Sequence, residues 1–266
     1  MTLPPVPPFG DNGDNGRSLH WHLLGGNNKH RIGMNSGLCS YSETDSMGEK
    51  HTWNILFDAG TMSGDPRKLE DPALSDCDTV IPDYAAHLRR RDDPAHQPEQ
   101  PIDAIFLTHN HSDHMNALPM LLLMGYELPK IYATPYTAKR LEQEFSNAGL
   151  DPAEWPQIIT IAPGKPVQEG PVKVSAFWVS HSTPQSVGFF IETPEGNMLN
   201  PGDFKLDRHP MHGQHTDLDA FRAEVEARLG YALGAARPMR FETTGDRYGW
   251  VRDHEGNWHF TLHIEN

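Results

Sequence analysis

The chain has 266 residues, enough for one substantial domain or two small ones, and with 37% hydrophobic and 22% charged residues most of it is expected to be globular. A formal net charge of −14, from 22 Lys+Arg against 36 Asp+Glu, disfavours non-specific binding to nucleic acid or to an anionic membrane, while leaving room for a local basic groove. Cys39 and Cys77 lack zinc-knuckle spacing and do not make a disulfide framework, so two free thiols in a reducing compartment are expected. The amino terminus lacks the basic and apolar regions of a signal peptide. No apolar run approaches the roughly 20 residues that span a bilayer. A cytoplasmic, soluble protein without a membrane partner is the expectation.

In chain order, residues 1–16 are rich in Pro, Gly, Asn and Asp, and a flexible leader is expected over 1–18. Leu19 to Leu24 reads as a first strand, turned by Gly25-Gly26-Asn27-Asn28. Ile32-Gly33-Met34-Asn35-Ser36-Gly37 puts small residues where a backbone must pass close to something; Walker and dinucleotide spacings are absent. Trp53 to Phe57 is a second apolar run, ended by Asp58-Ala59-Gly60. Asp58 is read either as an ordinary turn carboxylate or as a group supporting a metal ligand from behind. Asp78 to Asp83 reads as a loop leading to a helix around Tyr84 to Arg91, and Arg89-Arg90-Arg91 as a solvated helix end, with contact to phosphates as the minority reading.

The centre of the chain is Thr108-His109-Asn110-His111-Ser112-Asp113-His114. The apolar run Ile102 to Leu107 before it reads as a buried strand, and Ala117 to Met124 after it as the start of a buried helix. The ligand-type side chains thus sit on a strand-to-helix turn, where open α/β layers place their chemistry. In extended chain, residues two apart point the same way, so His109 and His111 can grip one ion from one side. After the turn, Asp113 and His114 project elsewhere, and one loop can serve two ions. Imidazole and carboxylate suit Zn²⁺, with Mn²⁺ an alternative at an oxygen-rich site. A lone His-x-His would be weak in a chain with 16 His, but the full His-x-His-x-Asp-His after an apolar strand is specific.

Further strands are expected at Lys130 to Thr134, Ile158 to Ile161 and Val172 to Val179, with a helix over Pro135 to Phe145. The last of these strands ends in Ser180-His181-Ser182. A hairpin follows, Val187 to Thr193 and Met198 to Asn200 around Pro194-Glu195-Gly196-Asn197, and leads into Gly202-Asp203-Phe204-Lys205. Asp203, a carboxylate at a strand end, is what a two-metal site needs as a bridge. Thr216 or Asp217 can cap a helix carrying Leu218, Phe221, Val225 and Leu229, and Met239 to Asn266 reads as short strands.

The segments Asp58-Ala59-Gly60, His109 to His114, His181 and Asp203 resemble the ordered metal motifs of the metallo-β-lactamase fold superfamily. Leu24-Gly25-Gly26, Ile32-Gly33-Met34-Asn35, Val80-Ile81-Pro82-Asp83, Ile131-Tyr132-Ala133-Thr134-Pro135, His181 to Ser186 and Gly202 to Asp207 are similar to the ribonuclease J branch of the beta-CASP nucleases, from about residue 20 to about residue 220. The resemblance implies a four-layer αββα sandwich with two metals at its edge. His109, His111 and His181 would hold one ion; Asp113, His114 and Asp203 the other, with Asp203 bridging. A metal-bound hydroxide would attack a phosphodiester, with Asp113 as the catalytic residue orienting it. RNA or another phosphodiester is the implied substrate, and homo-oligomerisation is compatible with it. The alternatives are a hydrolase of lactones, thioesters or β-lactams, and an inactive relative. Family members insert a beta-CASP domain after the Gly-Asp-Phe-Lys segment, and this chain does not. The expected domain is therefore 19–220, followed by a divergent helix-plus-hairpin tail over 221–266 that leaves open whether the fold is complete. His263 or His259 is the candidate late ligand.

Overall fold

The computed structural model describes residues 16–26, 33–63, 79–93, 95–205, 249–252 and 258–261. They fall into two compact units, one holding everything up to residue 205 and the other the short hairpin near the end.

In the first unit, β1 (Arg17–Gly25), β2 (Ser36–Thr44), β3 (Lys50–Phe57), β6 (Ala104–Phe106), β7 (Lys130–Ala133) and β8 (Ile158–Thr160) form a 6-stranded sheet in that order. The β1–β2 and β2–β3 pairs are antiparallel, and β3–β6–β7–β8 are parallel. A 4-stranded antiparallel sheet follows the order β12 (Asn197–Asn200), β11 (Val187–Glu192), β10 (Val172–Trp178), β9 (Val167–Glu169). The strands β4 (Met62–Ser63) and β5 (Thr79–Val80) make a small separate ladder.

Strand alternation distributes the core. On β3 and β6, Ile55, Phe57, Ala104 and Phe106 face the second sheet and pack with Val172, Val174, Val187, Phe189 and Ile191. Between them, Leu56, Ile105 and Leu107 face the other way, onto helices α2 (Ala117–Leu123) and α3 (Pro135–Asn147) through Leu118, Leu121, Leu141 and Phe145. Both faces of these strands are buried, which explains why they read as continuous apolar runs. Phe106 anchors the inter-sheet layer, its ring centroid 4.6 Å from Tyr132, 5.6 Å from Phe57 and 5.6 Å from Phe189. Helix, sheet and sheet account for three layers of the expected sandwich; the helix expected at Leu218 to Leu229 lies outside the described residues.

The hairpin Val187–Asn200 forms as expected, closed by reciprocal Thr193–Gly196 backbone bonds of 3.0 and 3.2 Å. In the second unit, β13 (Gly249–Arg252) and β14 (Trp258–Thr261) pair antiparallel, matching the short strands expected there. Four strands go beyond the sequence expectations, the short pair β4 and β5, where 78–83 reads as a loop, and also β2 and β9. The strand β2 is rich in Ser, and its period is masked because both of its faces are buried. The strand β9 spans only Val-Gln-Glu.

The helix expected around Tyr84 to Arg91 does not form. Asp83 Oδ1 accepts from Ala85 N at 2.9 Å and turns the chain. The backbone at 89–91 then runs alongside 125–127, with Glu127 N donating to Arg89 O at 2.9 Å and Arg91 N to Gly125 O at 2.8 Å. Arg90 makes paired bonds to Asp92 and lies over the Tyr126 ring, while Arg91 reaches Glu154 and the Leu122 carbonyl. Arg89 and Arg91 are exposed and Arg90 is half-buried.

Candidate metal centre

Four strand ends meet at one edge of the sandwich. After β3 comes Asp58, after β6 the His109–His114 segment, after β10 His181, and after β12 Asp203. The chain leaves β6 through buried Thr108, passes His109 and His111, and enters the short helix α1 (Ser112–Met115), whose first turn carries Asp113. One backbone bond ties the two sheets together here, Val187 N donating to Thr108 O at 3.0 Å, and a second, Lys205 N to Ser180 O at 2.8 Å, joins the segments that follow β12 and β10. The packing demands glycine at two positions. A Cβ on Gly60 would lie 1.6 Å from the Asp113 carbonyl oxygen, and one on Gly202, whose φ is +59°, would lie 2.9 Å from Thr108 Cβ.

His111 Nδ1 lies 3.0 Å from His109 Nε2 and 3.1 Å from His181 Nε2. His114 Nε2 lies 3.4 Å from Asp203 Oδ1 and 3.6 Å from Asp113 Oδ2. Candidate ligand atoms fall within 4.8 Å of one another in two sets, His109 with His111 and His181, and His109 with His114 and Asp203. Asp113 sits beside the second set rather than inside it. His259 is on β14 in the other unit, and His263 lies outside the described residues.

The donor chemistry of these sets fits a cation. A single Nδ1 proton cannot serve both His109 and His181, so the three convergent imidazoles cannot satisfy one another by hydrogen bonds. Their lone pairs can all be used at once by a divalent ion. Burial, then the neighbouring imidazoles of His114 and His181, pushes the His109 pKa down to about 2, which keeps it in the neutral form a ligand needs. Burial also lowers His181, with Asp203 opposing.

The second set is charged. Burial works against a proton on His114, but the Asp58 and Asp203 carboxylates outweigh it and raise the pKa to about 10. Asp203 shows the converse: burial would raise it, and His114 overrides this and holds it at about 2. The same field that favours a proton at His114 favours a metal cation.

Asp58 is buried behind this set, with φ +60°. Its Oδ2 accepts from His114 Nδ1 at 2.8 Å and from Thr108 Oγ1 at 2.8 Å; its Oδ1 accepts from Thr108 N at 2.8 Å. A proton held on Nδ1 leaves His114 Nε2 facing Asp113 and Asp203. This is the geometry by which an outer carboxylate orients a ligating imidazole.

Several neighbours were not picked out from the sequence. Thr108 Oγ1 also lies 2.9 Å from His109 Nδ1, Ser182 Oγ 3.3 Å from His111 Nε2, and Thr183 donates to Asn110 Oδ1. Asn35 Nδ2 reaches Asp113 Oδ2 at 3.1 Å and His114 Nε2 at 2.9 Å. Hydroxyls and amides of this kind are common everywhere, and only the fold shows which of them meet a histidine.

Residues 54–231 match the family described as the Beta-lactamase superfamily domain. The chain belongs to this family. Its α/β sandwich is the metallo-β-lactamase fold, and that fold implies use of a divalent metal. Ribonuclease J of Sinorhizobium meliloti is 34% identical over 192 residues, which is 72% of this chain and 30% of that protein. The chain thus spans under a third of the length of that relative. A separate similarity, 65% identity over 48 residues, links 18% of the chain to 8% of the sulfite reductase [NADPH] hemoprotein beta-component of Anoxybacillus flavithermus. Among solved structures, the metallo-beta-lactamase fold protein YhfI of Bacillus subtilis matches with a TM-score of 0.39 at 16% identity, covering 67% of this chain and 60% of that one. No helix among the described residues is long and apolar enough to cross a membrane.

Proposed function

We propose that this chain is a metal-dependent hydrolase of phosphodiesters, with RNA as the first substrate to test, working at a site for two zinc or manganese ions. The observation that carries the reading is the pair of ligand sets sharing His109, one of three neutral imidazoles and one including a carboxylate. Similarity to ribonuclease J supports phosphodiesters among the bonds such a site can hydrolyse.

In this reading His109, His111 and His181 would hold one ion, and His114, Asp113 and Asp203 the other; Asp203 lies 3.4 Å from His114 Nε2 and 3.9 Å from His181 Nε2, beside both groups. The ions, when bound, acidify a water and neutralise charge on the phosphate oxygens. The chain's residues do the rest. Asp58 keeps His114 protonated on Nδ1 and aimed inward. Asp113, partly open to solvent with its side chain 21% exposed, accepts a proton from the attacking water and orients it. Buried Thr108 holds the Asp58 carboxylate and the His109 ring in one arrangement.

A second reading rests on the net charge of −14, which opposes long contacts along a polyanion: the same site would then open a lactone, thioester or β-lactam carbonyl. The test is hydrolysis of bis-p-nitrophenyl phosphate and a short single-stranded RNA by zinc- and manganese-loaded protein, beside a lactone, a thioester and a β-lactam. Phosphodiester cleavage that disappears in His111→Ala supports the first reading. Carbonyl substrates cleaved with phosphodiesters intact would replace it with the second.

A further inference from the structure

Asn35 has no part in the roles assigned so far, yet the fold holds it firmly against the centre. It precedes β2, in the stretch of small residues after β1. Its backbone N donates to the Asp113 carbonyl at 2.9 Å, and its own carbonyl accepts from Gly60 N at 3.0 Å. The preceding residue, Met34, takes a left-handed φ of 56°, and its N donates to Thr61 O at 3.0 Å. Such a conformation in a residue with a side chain persists only where its surroundings over-determine it.

The side chain is equally constrained. Gly26, at φ +87°, leaves room for the amide oxygen: a Cβ there would lie 2.8 Å from Asn35 Oδ1. With the oxygen seated there, Nδ2 points at Asp113 Oδ2, 3.1 Å away, and at His114 Nε2, 2.9 Å away. The amide nitrogen donates to the Asp113 carboxylate, while His114 Nε2, the atom an ion would need, is its close neighbour. Among the described residues, its side-chain hydrogen bonds go to the carboxylate-bearing set and not to His111 or His181.

We propose that Asn35 is a positioning residue for this second set: its amide fixes the Asp113 carboxylate beside His114 Nε2, so that a second divalent ion meets a preset pair of ligands. The proposal rests on the two-ion reading above. It gives the small-residue segment before β2 a purpose in the centre, because only a close, bent backbone brings the amide within reach of α1.

The test is calorimetric titration of the metal-free full chain with Zn²⁺ and, separately, with Mn²⁺, for wild type, Asn35→Ala and Asn35→Asp. Outer groups that orient metal ligands are worth about 10- to 100-fold in affinity. Asn35→Ala should therefore weaken the second association event by about that factor and leave the first within about twofold. Asn35→Asp keeps the shape and backbone bonds but sets a carboxylate against Asp113, and should disturb the second event while the metal-free protein still melts cooperatively. Equal weakening of both events, no change in either variant, or a single event in wild type would overturn the proposal. Because the readout is ion binding, Asn35 is tested whether or not RNA is cleaved.

Discussion

The two candidate ligand sets overlap at His109 but are made differently. The set with His111 and His181 is three imidazoles drawn from two loops, part exposed, with hydroxyl neighbours such as Ser182. The set with His114 and Asp203 is charged, and His114 is fixed from behind by a buried carboxylate. The first set gets its geometry from chain direction, since His109 and His111 lie two apart in extended backbone. The second gets it from packing, because Asp58, Thr108 and His114 are all buried and bonded to one another. A ligand positioned by packing should be more sensitive to its neighbours than one positioned by chain direction.

The largest expected effect tests the shared residue. His109→Ala should lose the ion held with His111 and His181, weaken the neighbouring ion at His114 and abolish hydrolysis, whereas His181→Ala should lose one ion and leave the other tight; elemental analysis of the purified variants separates the two. Equal losses would break the division into sets.

Next is Asp58→Ala. It leaves His114 Nδ1 and the Thr108 N–H without their partner in the interior, and breaking such a buried pair costs about 3–5 kcal/mol. Denaturant unfolding should show that loss, and zinc titration should show the His114 set weakened and the three-imidazole set nearly intact.

Thr108→Val is milder. It preserves volume and removes the hydroxyl that donates to Asp58 and accepts from His109 Nδ1, at a cost of about 1–3 kcal/mol for the buried groups left unpaired. Because Thr108 touches both sets, both should weaken together.

Smallest is Ser182→Ala. Ser182 is exposed, so unfolding free energy should change by less than about 0.5 kcal/mol, and affinity at the three-imidazole set by about twofold at most. A larger loss would show that this set also depends on its neighbours.

The parts of the centre legible in the sequence are those with local signals. The spacing from His109 to His114 and the positions of His181 and Asp203 after strands all follow from periodicity. Asp58 reads in the sequence as a strand-end carboxylate with two roles open, and only packing shows its partners, His114 and Thr108. Asn35 and Thr108 carried no signal of their own, since their bonds span 78 and 50 residues to Asp113 and Asp58. The same limit applies to the fold. The apolar strands β3, β6 and β10 were visible, while β2 was hidden by its serines. The segment at 84–91 reads as a helix, but its end at 89–91 pairs with the backbone at 125–127 instead.

The most direct test of the central claim is the number of zinc ions per chain after reconstitution and desalting, for wild type and Asp203→Ala. Two adjoining ligand sets predict close to two ions in wild type and at most one in the variant. One ion or none in wild type would contradict the account.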